Sequence, residues 1–340
     1  MVELQKRNKV GGFLYNFYEA ENSIYIKKEQ EKKQIKRIGF AAGASVIGYV
    51  LIQNILSVLI YLSPIGEIYD SDPAMQSVVS IFLSVFGIAV PFGIAGYFLN
   101  KGKDTPVVDF RKPVSTPLML SVTCLGFFVC LTGNYVTGVF VDFMDRLGIL
   151  LSSPEYYPPT DFAGRIIYTV SIAVVPALVE EFAVRGVVLQ SLRKYGDKFA
   201  IIASALLFAV MHGNLIQAPF ALIAGIGIGY AVCITNSIRT GILIHFCNNL
   251  YSVIVEFIVA DITDESKLNT VYLALTSVLY AVTVIGTVVF VTIRKQRKLV
   301  PSFTVMKEKE KMKAFIMTVP MIIALLIMIY ITSNFIDFGR

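Results

Sequence analysis

Charge is scarce in this chain. Only 16% of its 340 residues are Asp, Glu, Lys or Arg, against 55% hydrophobic residues and a mean hydropathy of +0.68, whereas a soluble domain carries about a quarter charged residues. That shortage excludes a soluble enzyme or a nucleic-acid binder, so the net charge of +6 reads as loop asymmetry and no nucleic-acid partner is expected. Cysteine is limited to Cys124, Cys130, Cys233 and Cys247, all inside apolar runs and without a CxxC pair. A secreted disulfide scaffold is excluded, and the four read as buried thiols rather than redox or zinc ligands. Histidine occurs twice, and there is no HExxH. No internal repeat of the kind that builds secondary transporters is found. The first apolar run starts only at Ile38, behind a Lys-rich polar segment unlike the short basic start and cleavage site of a signal peptide, so the N-terminus is expected to be retained.

What is present is a series of apolar runs, most long enough to cross about 30 Å of hydrocarbon as a helix. They predict an all-α fold, a polytopic integral membrane bundle of about nine transmembrane helices, at roughly 38–62, 78–99, 118–141, 166–190, 199–213, 215–236, 240–260, 270–293 and 314–335. The fifth is short and lies against the sixth, so the count runs from eight to ten. Four regions follow: a basic arm over 1–37, two leading helices and a loop over 38–117, a core over 118–260, and two C-terminal helices with a basic loop over 261–340.

Loop charge alternates along this series. Segment 1–37 carries nine bases to five acids, 100–117 four to two, 191–198 three to one and 294–313 eight to two. The intervening loops reverse the sign: 63–77 holds Glu67, Asp70 and Asp72 with no base, 142–165 has four acids to two bases, and 261–267 three to one. The positive-inside rule then predicts a multi-pass cell-membrane protein with a cytoplasmic N-terminus and an extracytoplasmic C-terminus. Tyr15, Phe17, Tyr18 and Tyr25 among the N-terminal lysines fit either an interfacial segment in the bilayer or a solvated arm.

Few charges remain within hydrocarbon: Glu180, Glu181 and Arg185 in the fourth span and Glu256 in the seventh. An intramembrane charge costs a few kcal/mol or more, which makes each a functional candidate. Glu181 and Arg185 stand one turn apart and can neutralise each other. Glu180, about 100° round the helix, has no such partner and suits a general base or acid. His212 and His245 fall in or at the ends of apolar spans, as hydrogen-bonded core residues or as members of a shared polar site. His245 and Asn249 share a helical face, and Asn248 points elsewhere. Pro176 cannot donate to the carbonyl of Ile172, so the fourth helix should kink or widen beside Glu180. Gly225, Gly227 and Gly229 read as a packing face of small residues. Glu256 returns to within about 20° of the His245 and Asn249 face, either lining an outer continuation of a cavity or snorkelling to water.

Together these residues resemble the CAAX prenyl endopeptidase type II proteins, the CPBP or Abi family of intramembrane proteases. Its EExxxR motif matches Glu180, Glu181 and Arg185; its FxxxH motif matches Phe208 and His212; its HxxxN motif matches His245 and Asn249. The resemblance covers roughly 118–260. It implies an intramembrane endopeptidase acting on a membrane-associated protein or peptide through an activated water. Glu180 would be the general base, His212 would hold the water, and Glu181 and Arg185 would support them. His245 and Asn249 would donate to the oxyanion, while Phe208 would pack against its helix. No cofactor is expected; a metalloprotease such as a zinc enzyme is the rival, with Glu180, His212 and His245 as ligands. Cys247 points about 200° away from His245, against a Cys-His dyad. Two further functions remain open: a non-catalytic membrane scaffold or bacteriocin immunity factor, and a proton-coupled transporter.

Span limits also raise a conflict of depth. Counting about 1.5 Å per residue, Glu180 and His245 come within roughly 10 Å of the cytoplasmic face while His212 lies nearer the outer face, although one site needs them at one level.

Overall fold

The computed structural model describes residues 2–101, 113, 115–154, 157–294 and 298–338, with side chains described from residue 21 onward. The charges counted over 102–112 and at Glu155, Lys295 and Arg297, and the side chains of Tyr15, Phe17 and Tyr18, lie outside it. The protein is a polytopic helical membrane bundle. Its elements are α1 (Val2–Tyr61), a short α2 (Ile65–Ser71), α3 (Pro73–Asn100), α4 (Thr116–Arg146), α5 (Phe162–Tyr195), α6 (Asp197–Met211), α7 (Ala218–Thr235), α8 (Ile238–Asp261), α9 (Glu265–Ile293), α10 (Glu308–Ile316) and α11 (Val319–Ser333). Among the described residues the only sheet is a pair of three-residue strands, β1 (Ile149–Leu151) and β2 (Ile336–Phe338), antiparallel with Ile149 opposite Phe338.

Among the described residues, seven helices are long and apolar enough to span a membrane, and the α10–α11 pair, bent by 76°, makes an eighth as a broken span. The remaining expected span is α6, whose fifteen residues reach only about 22 Å. The expected ninth span, 314–335, is interrupted: α10 ends at Ile316 and α11 starts at Val319 behind Thr318, with Pro320 in its first turn, where a proline is well tolerated. Helix α1 runs through residues 2–37 of the N-terminal segment into the first span. Gly39 and Gly43 let the backbone of the α10–α11 bend press onto α1; a Cβ there would stand 2.1 Å from the Phe315 carbonyl oxygen and 2.3 Å from the Met321 nitrogen.

Helices α4 to α8 form the core. Gly225 and Gly229 face α6, where added Cβ atoms would meet Ala205 and Ile201, and Gly227 faces Val129 of α4, a close approach typical of membrane helices. Outer faces carry exposed Val and Ile, among them Val282, Ile285 and Val288 of α9, a surface that suits lipid.

The segregated loop charges mark two different ends. At the basic end Lys311 is fully buried, its Nζ donating to the Tyr195 carbonyl (2.8 Å), Ser302 Oγ (2.7 Å) and Glu308 Oε1 (2.7 Å). Glu31 accepts the backbone amides of Val305 and Met306, and Asp197 accepts that of Val300 at 2.8 Å. Here the 298–311 segment is stitched to α1 and α6. At the acidic end Asp72, Asp161 and Asp264 cap α3, α5 and α9, and Arg165 forms a two-pronged pair with Asp261.

Candidate active site

The fourth expected span is wider than a plain α-helix at two places. Within α5, residues Val170–Val174 and Phe182–Leu189 wind as π-helix on either side of Val175–Glu181, a feature that clusters at functional sites. Pro176 leaves the Ile172 carbonyl without its helical donor, and Asn249 Nδ2 supplies one at 2.9 Å. The expected disturbance beside Glu180 is therefore present and is held by a motif side chain from α8.

Helix α6 ends just beyond Met211 because His212, Gly213 and Asn214 build a stop. Gly213 has φ of +65°, the left-handed conformation favoured by glycine. Asn214 donates to the His212 carbonyl (3.0 Å) and accepts the Gln217 amide (2.9 Å), which starts α7. The same geometry removes the conflict of depth. Glu180 lies sixteen residues before the Gly196 turn and His212 sixteen after it, so the two are level. The expected position of Glu180 close to the cytoplasmic surface is corrected: α5 continues to Tyr195, and Glu180 sits near the middle of its 34-residue span.

Glu180, His212, His245 and Asn249 line one cavity of about 460 Å³. A second cavity of about 390 Å³ shares Glu180, Phe208 and His212 with it. Besides core helices, the linings draw on Tyr69, Gln76, Ser153, Pro154, Asn214 and Gln217, all from segments at the acidic end. Among the described residues, none of the 191–198 turn, the 236–239 turn or the 298–313 segment lines either cavity. Irregular backbone at this depth is tolerated where it borders such a cavity, and the short α6 leaves the recess.

Glu181 forms the floor. It is fully buried, and its Oε1 accepts from Arg185 Nη1 at 2.7 Å and meets His245 Nδ1 at 3.0 Å. The expected Glu181–Arg185 pair is present, and Glu181 additionally orients His245. That contact leaves His245 Nε2 facing Glu180 Oε2 at 3.9 Å. Gly241 makes room for this carboxylate, since a Cβ there would stand 2.7 Å from Glu181 Oε2. Phe208 is more than packing: Arg185 lies over its ring at 4.5 Å, with His212 and His245 edge-on at 4.7 and 5.9 Å. His212 Nδ1 meets the Phe208 carbonyl at 2.8 Å; a carbonyl only accepts, so Nδ1 carries the hydrogen and Nε2 is the nitrogen with a free lone pair.

Three polar residues join the site that sequence reasoning placed elsewhere or left open. Asn248 does not point away: it lines the cavity, donates to Asn249 Oδ1 at 3.2 Å and accepts from Asn134 of α4 at 3.4 Å. Glu256 also lines the cavity and accepts from Tyr168 at 2.5 Å. The spacing of Glu256 to His245 left cavity lining and snorkelling both open, whereas Asn134 gave no signal because nothing in its own helix marks it. No three His, Cys, Asp or Glu side chains among the described residues group as metal ligands.

Residues 162–251 match the family model described as type II CAAX prenyl endopeptidase Rce1-like. No curated protein and no solved structure matches the chain.

Proposed function

We propose that this chain, whose 162–251 segment belongs to the type II CAAX prenyl endopeptidase Rce1-like family, is an intramembrane endopeptidase that hydrolyses a peptide bond of a membrane-associated protein or peptide with water as nucleophile. The observation that carries this reading is the meeting of Glu180 and His212 on one cavity, with His212 Nδ1 bonded to backbone. Two acceptors then hold the two hydrogens of one water, whose lone pair is free to attack. Glu180 takes a proton as the oxygen adds to the scissile carbonyl, and returns it to the leaving amine as the C–N bond breaks. The second N–H of Asn249 donates to the oxyanion, as does the Nε2–H of His245 in its doubly protonated form, whose Nδ1–H is held by the Glu181 carboxylate. Both are pre-oriented, one by Glu181 and the other by the Ile172 carbonyl, so little reorganisation is needed when charge develops. No step is routed through a metal.

The positive-inside rule assigns the basic end to the cytoplasm, so substrate would reach the cavity from the extracytoplasmic side. Peptide termini in membranes from cells carrying the intact protein are compared by mass spectrometry with those from cells carrying Glu180→Gln at equal abundance. Termini that vanish only in the variant are the expected result. If none vanish and the biological effect survives, the enzymatic reading falls and a scaffold role replaces it.

A further inference from the structure

An intramembrane carboxylate is costly unless something neutralises it. Glu180 and Glu181 have Arg185 and His245 beside them, but Glu256 is paired with no lysine or arginine among the described residues. It accepts a hydrogen bond from the neutral Tyr168 hydroxyl. The nearby cation, Arg165, is already committed: it donates twice to Asp261 and once to the Pro159 carbonyl, and lies over the Phe257 ring at 4.9 Å. Glu256 is nevertheless not turned to lipid, because it shares a cavity with Glu180, His245 and Asn249.

Its place along that cavity is set by the helix. Glu256 is seven residues beyond Asn249 and eleven beyond His245, which returns it to nearly the same face at a rise of about 10 and 16 Å. An extended peptide advances about 3.3 Å per residue, so this span equals about three to five residues of substrate. Ser252, one turn before Glu256, lines the stretch between. The acidic surroundings act in the same direction: segment 63–77 holds three acids and no base, and a negative rim concentrates cations at a cleft.

We propose that Glu256, set against Tyr168, is a specificity subsite for a positively charged group of the substrate, placed about three to five residues from the bond that is cut. The group is a lysine or arginine side chain or a free α-amino terminus. This inference rests on the proteolytic reading above. It makes the preferred substrate a cationic peptide lying along α8.

The test uses full-length protein in proteoliposomes and a set of N-acetylated decapeptides. One lysine is walked through every position of a lysine-free parent; the parent with a free N-terminus is included. Products are quantified by mass spectrometry. The expected result is a rate advantage of about tenfold for lysine at one register, as a charge-assisted contact contributes, or the same advantage for the free-amine parent if the terminus is the group read. Glu256→Gln should collapse the ratio of basic to neutral peptide toward one, and Glu256→Lys should invert it in favour of a walked glutamate. A ratio that stays near one in the intact protein, or survives Glu256→Gln, overturns the subsite while cleavage lost in Glu180→Gln keeps the protease reading. If no peptide is cut by any form, binding decides: fluorescein-labelled lysine peptides are titrated onto Glu180→Gln and onto Glu180→Gln/Glu256→Gln, each first shown to be folded by thermal unfolding in detergent. A Kd weaker by about tenfold in the double variant upholds the subsite, and equal Kd values overturn it.

Discussion

The two ends of this bundle solve opposite problems. At the basic end, charged side chains are consumed by the fold: Lys311 is buried with three oxygen partners, and Glu31 and Asp197 hold backbone amides of the 298–311 segment. At the acidic end the helices enclose a cavity lined by Glu180 and Glu256, carboxylates that no lysine or arginine among the described residues pairs with. Satisfied charges make a closed seal, whereas incompletely satisfied ones make a place for a ligand. The contrast predicts that substitutions at the seal act on stability and those at the cavity act on turnover.

Glu181 sits where both demands meet, so it should show the largest effect. Glu181→Leu leaves Arg185 buried without its partner and should cost about 3–5 kcal/mol in unfolding titrations in mixed micelles, together with all cleavage; a stable variant would mean that Arg185 finds another partner. Lys311→Met, at the seal, should cost about 3 kcal/mol by exposing the Tyr195 carbonyl and its neighbours to an apolar side chain. Cleavage per folded molecule should persist, and its loss would break the proposed division between the ends. Gly241→Ala should cost about 2 kcal/mol and lower kcat, because the new Cβ displaces the Glu181 carboxylate. Asn214→Ala, which loosens the stop after His212, should cost about 1 kcal/mol and reduce the rate at saturating peptide. At Gly138 of α4 nothing lies within 4 Å of an added Cβ, so Gly138→Ala should change neither stability nor rate by more than about 0.5 kcal/mol. That substitution serves as the reference for the series.

Much of the fold was legible because lipid imposes a simple rule: apolar runs set the helices, and loop lysines and arginines sort to one end. The motif residues were legible for the same reason, since charged groups stand out in hydrocarbon. Glu180, His212, His245 and Asn249 line one cavity, with Glu181 against His245. Depth was misjudged because it rests on helix limits, and α5 extends five residues past its expected end while α6 stops short. Asn248 was misplaced because an angular argument treats a cavity as a point; here it wraps around α8 far enough for adjacent asparagines to reach it. Asn134 could not be found at all, as its significance lies in a contact made 114 residues away. The break between α10 and α11 escaped because α10 carries five charges yet buries Lys311, Ala314 and Phe315, so hydropathy alone averages across it.

The strand pair β1–β2 has a practical consequence. Leu150 and Asp337 face one another in register, and Phe335, just before the strand, borders the recess beside Glu180 and His212. A polypeptide fused after Phe338 would thus emerge at the rim of the recess. A bulky purification handle there would obstruct entry, while a small environment-sensitive dye at the same place would report, by its colour or brightness, when a peptide comes and goes.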